Sequence, residues 1–383
     1  MHNDAIHMME ISVALIGRAT LYEAPGGDTV QIMQTADFLN RIGVKAEVRL
    51  TDEKIDYEAY DLLHFFNITR PADILFHIKK SNKRFVVSTI HIDYSAYDKT
   101  HRRGLSGMLL KYLSPDSCEY LKTIFRWIKG KDKLISYSYL WKGQSESIQE
   151  VLAKSSLILP NSASEYSRLK KVYGALPGYR IINNGIDPGL FSSSGNDMRS
   201  PDLVICVARI EGIKNQLNLI KALNNTRYKL LLIGSPAPNQ FAYYTKCKKL
   251  AAQNILFIDH LPQQELLYYY KRASIHILPS FFETTGLSSL EAAAMGCKIV
   301  ITDKGDAGDY FGDMADYCDP HSPESIYDAV VRAGIRQYDE SLQQKILDCY
   351  TWYEATKNTK RAYKEVIQLY ETTHRNFGYA WNP

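Results

Sequence analysis

With 383 residues, 45% hydrophobic and 23% charged, the chain can build two globular domains with sizeable cores. That composition excludes a disordered chain, a fibrous repeat and a disulfide-stapled miniature fold. Its 46 basic residues against 42 acidic ones leave a net charge of +4, too mild for a chain that binds nucleic acid over its whole surface.

The apolar pattern then runs in short strands alternating with amphipathic helices, the rhythm of parallel α/β sheets. In the first half it predicts strands over 10–16, 44–50, 61–66 and 84–90, with helices over 28–42 and 71–81. A long insertion follows, then a strand over 156–160 and a helix over 163–173. The second half restarts with strands over 202–207, 229–233, 255–258, 274–278 and 298–302. Helices over 215–223, 241–252, 263–271 and 287–295 separate them, and past Tyr338 the pattern is helical to about His374. Both halves therefore read as doubly wound sheets, with ligands expected beyond the strand C-termini. The turn-rich Asn183-Asn184-Gly185-Ile186-Asp187-Pro188 marks the boundary, and Ser192 to Asn196 reads as a flexible surface segment. The expected division is 1–182, 183–355 and a closing helix over 356–383 that packs back toward the first domain.

The six cysteines stand far apart, with neither a Cys-x-x-Cys pair nor a zinc-like cluster, as expected of reduced thiols in a cytoplasmic protein. The start, Met1-His2-Asn3-Asp4, lacks a signal peptide's basic stretch and apolar core, and no apolar run approaches a bilayer span of about 20 residues.

The strongest chemical signal runs from Pro279 to Gly296. A buried strand ends at Pro279 and a helix opens near Gly286, so the amides of Thr285, Gly286 and Leu287 become first-turn donors at the sheet's ligand edge. With the helix dipole behind them they suit a phosphate, and Gly286 permits close backbone approach. Glu283 precedes the helix and Glu291 lies about two turns into it, so both carboxylates are expected to face one cleft and accept sugar hydroxyls. A dipole-favoured N-terminal charge and a solvated helix residue would account for the same glutamates.

Glu283, Gly286 and Glu291, with Pro279-Ser280 before them and Ala292, Ala294 and Gly296 after, resemble the donor-binding motif of retaining glycosyltransferases with the GT-B fold, family 4. Two positions depart from that family: Thr284-Thr285 where it often has Gly-Phe, and Lys298 where it often has Pro. A second motif, Arg209-Ile210-Glu211-Gly212-Ile213-Lys214-Asn215, resembles the family's basic loop after the first strand of the donor domain. Arg209 can clamp phosphate bidentately and Lys214 supplies a point charge; a pair of solvated surface cations is the alternative.

In the first half, Gly26-Gly27 resembles the family's glycine loop near the donor phosphates, though a plain strand–helix turn explains it equally. His91 at the end of the fourth strand resembles the family's histidine beside the donor sugar, and Asn184-Gly185-Ile186-Asp187 resembles its domain-junction turn. The insertion 99–142 holds Lys99, Arg102, Arg103, Lys111, Lys122, Arg126, Lys129, Lys131, Lys133 and Lys142 among interleaved aromatics. Peripheral docking on anionic headgroups of the inner membrane and a solvated acceptor-side subdomain remain alternatives for it.

The resemblance implies a GT-B enzyme that moves a sugar from a UDP- or GDP-type nucleotide sugar to a hydroxyl with retained configuration. The acceptor would be a glycan or lipid-linked glycan of cell-surface polysaccharide biosynthesis. Glu283, His91, Arg209 and Lys214 are the expected catalytic groups, and Gly26, Gly27, Thr285, Gly286, Leu287 and Glu291 the substrate-binding ones. No Asp-x-Asp occurs, so no metal and no cofactor beyond the co-substrate is expected, nor a nucleic-acid partner. A nucleotide-sugar epimerase of similar architecture and a catalytically silent sugar-nucleotide binder are the rival readings. A nicotinamide dehydrogenase lacks its Gly-x-Gly-x-x-Gly here.

Overall fold

Strand runs such as Leu62–Phe66 and Ala273–Leu278 are buried at every position, because helices cover both faces of a parallel sheet. The computed structural model describes residues 11–92, 114–130, 136–193 and 199–378. The first half contains β1 (Ser12–Gly17), α1 (Gly27–Arg41), β2 (Lys45–Leu50), β3 (Leu62–Phe66), α2 (Pro71–Ser81) and β4 (Phe85–Ser88). After the insertion's helices α3 (Pro115–Ile128) and α4 (Ser138–Lys154) come β5 (Leu157–Leu159) and α5 (Ala163–Tyr173). These strands form one parallel sheet in the order β2-β1-β3-β4-β5.

The second half contains β6 (Ser200–Val207), α6 (Gln216–Leu223), β7 (Lys229–Ile233), α7 (Phe241–Leu250), β8 (Ile255–Ile258) and α8 (Gln263–Arg272). It continues with β9 (Ala273–Leu278), α9 (Leu287–Ala294), β10 (Lys298–Thr302), α10 (Ala307–Phe311) and β11 (Asp316–Cys318). Helices α11 (Pro323–Ile335), α12 (Ser341–Cys349) and α13 (Trp352–Gly378) close the chain. The second parallel sheet has the order β11-β10-β9-β6-β7-β8. Both orders reverse direction once, between β1 and β3 and between β6 and β9, and such switch points open a crevice at the strand C-termini.

One apolar core surrounds the second sheet, and two cores cover the faces of the first. Trp352, Ala355, Ala362, Tyr363 and Val366 of α13 lie in a core of the first sheet, and the Tyr363 hydroxyl sits 2.7 Å from Nδ1 of buried His64. The chain thus crosses between sheets twice, near Ile186 and near Thr351. The crossings pair with each other, Ile186 N donating to Tyr350 O and Trp352 N to Ile186 O.

The structure moves several sequence boundaries. The first strand begins at Ser12, the second sheet's first strand at Ser200, and α6 at Gln216, because Asn215 is left-handed after the short 3-10 turn Gly212–Lys214. The fourth strand stops at Ser88, two residues early, since Ile90 takes a positive φ of 45°. Strand β11 and helices α10 and α11 carry no expectation above; their apolar runs are short and sit among charged residues. None of the described cysteines forms a disulfide: Cys118, Cys206, Cys247, Cys297 and Cys318 are buried and Cys349 is exposed. Glu10 and the segments 93–113, 131–135 and 194–198 lie outside the described residues.

Candidate active site

The two motifs of the second half end the two strands that flank its switch point. Arg209 follows β6 and Glu283 follows β9, and local bonds draw their loops together. Phe281 N donates to Ile213 O at 2.8 Å, and the buried Asn215 amide donates to Pro279 O and Pro320 O. The result is a direct ion pair, Lys214 Nζ to Glu283 Oε2 at 2.7 Å, with the Ser280 hydroxyl donating to the same oxygen at 2.9 Å. Arg209 stands at the exposed rim, paired with Glu211 at 2.9 Å.

The backbone of Glu283 is clamped from β10's outgoing turn. Glu283 N donates to Lys304 O, and its carbonyl accepts from Asp306 N at 2.8 Å. Gly305 makes the clamp sterically feasible. Its φ is +107°, and a Cβ there would sit 2.1 Å from Glu283 O.

Gly286 caps α9 in the left-handed conformation, φ +69°, and the first helix bond is Ser289 N to Gly286 O. The amides of Leu287 and Ser288 precede that bond, so the helix start offers donors beside the Glu283 carboxylate. Leu287 is half-buried and packs against cores of both sheets, so its side chain is apolar mortar and its amide is what it offers a ligand.

The side chains of Thr285 and Glu291 carry hydrogen bonds within the protein. Thr285 is buried; its hydroxyl accepts from Asn184 Nδ2 at 3.0 Å and donates to the Tyr310 hydroxyl at 3.2 Å. Tyr310 in turn donates to Asn161 O, so this network ties the junction to both sheets. Where the family often has an aromatic, the hydroxyl is a joint between domains. Glu291 is bonded to α8. Tyr270 Oη donates to its Oε2 at 2.9 Å and Gln263 Nε2 to its Oε1 at 3.1 Å, while burial pushes its pKa up to about 7. The residue as a whole is half-buried. Lys298, the second departure, lies at the opening end of β10, where its ammonium donates to Gly334 O and Arg336 O and anchors α11, away from the ligand edge.

From the first sheet, the exposed Gly26-Gly27 turn opens α1 and faces the second domain: a Cβ on Gly26 would lie 4.0 Å from Arg209 Nη1. Arg18, directly after β1, rivets this turn by bonds to Thr20 O, Ala24 O and both oxygens of Asp28. His91 is half-buried beyond β4; its amide donates to the fully buried Glu165 carboxylate at 2.7 Å, which also accepts from Thr89 and Asn161 N. Burial pushes the Glu165 carboxyl pKa up against those three donors. Arg18, Arg168, Gln263, Tyr270 and Asp306 escape the sequence reading. Arg18 and Asp306 follow strand C-termini and strand position could have flagged them; Gln263 opens α8, Arg168 and Tyr270 lie within helices, and none of the three carries a motif.

In the insertion, Tyr139 is buried and its hydroxyl donates to Gln144, whose amide donates to Thr69 O beyond β3, so the subdomain is stapled over the first sheet's ligand edge. Phe125, Ile128, Tyr137 and Trp141 are exposed, Trp141 at 90%. Lys122 pairs with Glu119 and Lys142 with Glu150, while Lys99, Arg102, Arg103, Lys111, Lys131 and Lys133 lie outside the described residues. Among the described residues no group of three or more His, Cys, Asp or Glu side chains could hold a metal ion, and no helix is long and apolar enough to cross a membrane.

Residues 193–338, from the junction through α11, match the family model described as glycosyl transferases group 1. That match lies within the second domain. Among curated proteins, glycogen synthase of Mycobacterium tuberculosis is 25% identical over 227 residues, covering 56% of this chain and 55% of that protein. The chain thus spans about half the length of the curated relatives it matches. Among solved structures, sucrose-phosphate synthase from Thermosynechococcus elongatus superposes with a TM-score of 0.70 at 14% identity, over 94% of this chain and 100% of that one. Anabaena HepE, solved with UDP and glucose, gives 0.66 at 13% identity, over 92% and 99%. The two-domain fold is therefore GT-B across nearly the whole described chain.

Proposed function

We propose that the protein is a glycosyltransferase that moves a sugar from a nucleoside-diphosphate sugar to a hydroxyl acceptor with retained anomeric configuration and no metal. The observation that carries this reading is the Lys214–Glu283 pair beside the Gly286 helix start, at the switch point of a family-matched domain. Arg209, Lys214 and the α9 amides would offset the charge that grows on the leaving diphosphate, electrostatic work done by groups already in place. The Glu283 carboxylate would accept hydroxyls of the donor sugar, Glu291 those of the ribose, and His91 would contact the sugar from the first domain. In a same-face step the bond from anomeric carbon to diphosphate breaks as the bond to the acceptor oxygen forms. The acceptor's proton passes to the departing phosphate oxygen.

UDP is the favoured nucleotide because HepE, which shares the fold, was solved with it. The named relatives are synthases and glycosyltransferases, which favours transfer over epimerisation. The acceptor is proposed to be a glycan or lipid-linked glycan, at the cytoplasm or its membrane face, because exposed Phe125, Ile128 and Trp141 crown a subdomain stapled beside the first sheet's ligand edge. Incubation with UDP-glucose and candidate acceptors, followed by product NMR, tests the reading: an α-linked product supports it. Release of a free epimerised sugar would indicate the rival chemistry, and binding without turnover a silent homologue.

A further inference from the structure

Arg168 on α5 of the first domain reaches Asp306 after β10 of the second. Its guanidinium is bidentate on that carboxylate, with Nη2 to Oδ2 at 2.9 Å, and Asp306 is 1% exposed. The same Nη2 donates to His91 O at 3.0 Å, and the guanidinium carbon lies 5.0 Å from the centre of the Phe282 ring. One side chain therefore touches the backbone of one proposed sugar-binding residue and the neighbour of the other. Its partner is the residue whose amide holds Glu283 O. A second contact runs alongside, Ser164 N and Oγ donating to Asp309 at 2.8 and 2.6 Å.

We propose that Arg168 and Asp306 are positioning residues that hold the two domains closed and set His91 and Glu283 at their working separation across the cleft. The role rests on the transferase reading, since those two residues meet the sugar only there. Physically, Asp306 holds Glu283 through its backbone amide and Arg168 through its side chain, so the clamp and the latch share one residue. A buried carboxylate that loses its partner must be hydrated, which means opening the cleft or shifting the 304–306 turn. Either movement displaces Glu283 relative to His91. Arg209, Lys214, Glu291 and the α9 amides, proposed to hold the nucleotide, belong to the second domain, so opening of the cleft leaves them together.

The test uses the full chain, as wild type, Arg168→Ala, Arg168→Lys and Asp306→Asn. Solution scattering without ligand should show the radius of gyration, roughly 21 Å for this length, rise by about 1 Å in Arg168→Ala and Asp306→Asn. Calorimetry with UDP should give dissociation constants within twofold of wild type, while kcat with UDP-glucose falls at least tenfold and recovers partly in Arg168→Lys. Unchanged scattering together with unchanged kcat overturns the latch. So does a variant that loses UDP affinity and kcat in parallel, which marks a purely structural role. Should Arg168→Ala fold poorly, Arg168→Lys carries the decision: its kcat must drop with UDP affinity intact. Failure of wild type to bind UDP strikes the transferase reading instead, and the scattering arm, which needs no ligand, still judges the latch.

Discussion

Lys214 and Glu283 should respond to mutation with opposite signs in nucleotide binding. Without ligand, the ammonium sits 2.7 Å from a carboxylate that is 8% exposed, and is itself 22% exposed. Deleting one partner of a fully buried pair costs about 3–5 kcal/mol, and water access at Lys214 lowers that to about 2 kcal/mol for Lys214→Met. Glu283→Gln removes the charge but keeps an acceptor for Ser280 and Lys214, so about 1 kcal/mol is expected. At roughly 2–4 °C per kcal/mol for domains this large, melting should fall by about 4–8 °C and 2–4 °C. Calorimetry with UDP then separates the two. Lys214→Met loses a phosphate cation and should bind at least tenfold more weakly. Glu283→Gln frees that cation from its competitor and should bind UDP equally well or up to about tenfold more tightly, a gain of up to about 1.4 kcal/mol. Its defect should appear in transfer, because the sugar contacts position the anomeric carbon. A well-folded Glu283→Gln protein that fails to bind UDP would refute the division of roles.

Other outcomes follow from the same geometry. The Glu291 carboxyl titrates near about 7, above its ordinary 4.5, so between those values the native state holds a proton that the unfolded chain has released. Stability relative to Glu291→Gln should therefore fall as pH rises through that window, whereas UDP affinity, which needs the carboxylate, should rise from pH 6 to 8 and flatten in Glu291→Gln; a pH-independent wild type would contradict this. Gly305→Ala places a methyl 2.1 Å from Glu283 O and should reduce transfer at least a hundredfold while the circular dichroism spectrum stays native. EDTA should leave the wild-type rate within twofold, and an EDTA-abolished rate would end the metal-free mechanism.

Much of this was readable from residues because parallel strands buried on both faces are plain apolar runs. The glutamate–glycine–glutamate segment was legible too: its spacing places a strand end, a left-handed glycine and a helix start in succession. What stayed hidden has a common cause, a partner distant in sequence. Glu291 takes hydrogen bonds from Tyr270 and Gln263, 21 and 28 residues earlier, partners that its own motif does not show. The Thr285 hydroxyl, about which the pattern says nothing, is a buried joint because Asn184 and Tyr310 converge on it. His91 lies three residues past the end of β4, its amide held by Glu165 and preceded by Ile90 at positive φ. Single-sequence patterns report local periodicity, and these contacts span up to 149 residues.

The central claim, a nucleotide-sugar site at the second switch point, is tested most directly by thermal unfolding with a panel of UDP, GDP and ADP sugars. A ligand at 100 times its dissociation constant should add about 2.7 kcal/mol to a binding-competent protein. The account predicts that at least one donor, UDP-glucose foremost, raises the wild-type melting temperature by several degrees and that the rise falls to about half or less in Lys214→Met. No shift with any donor, or a shift that survives undiminished in Lys214→Met, would contradict it.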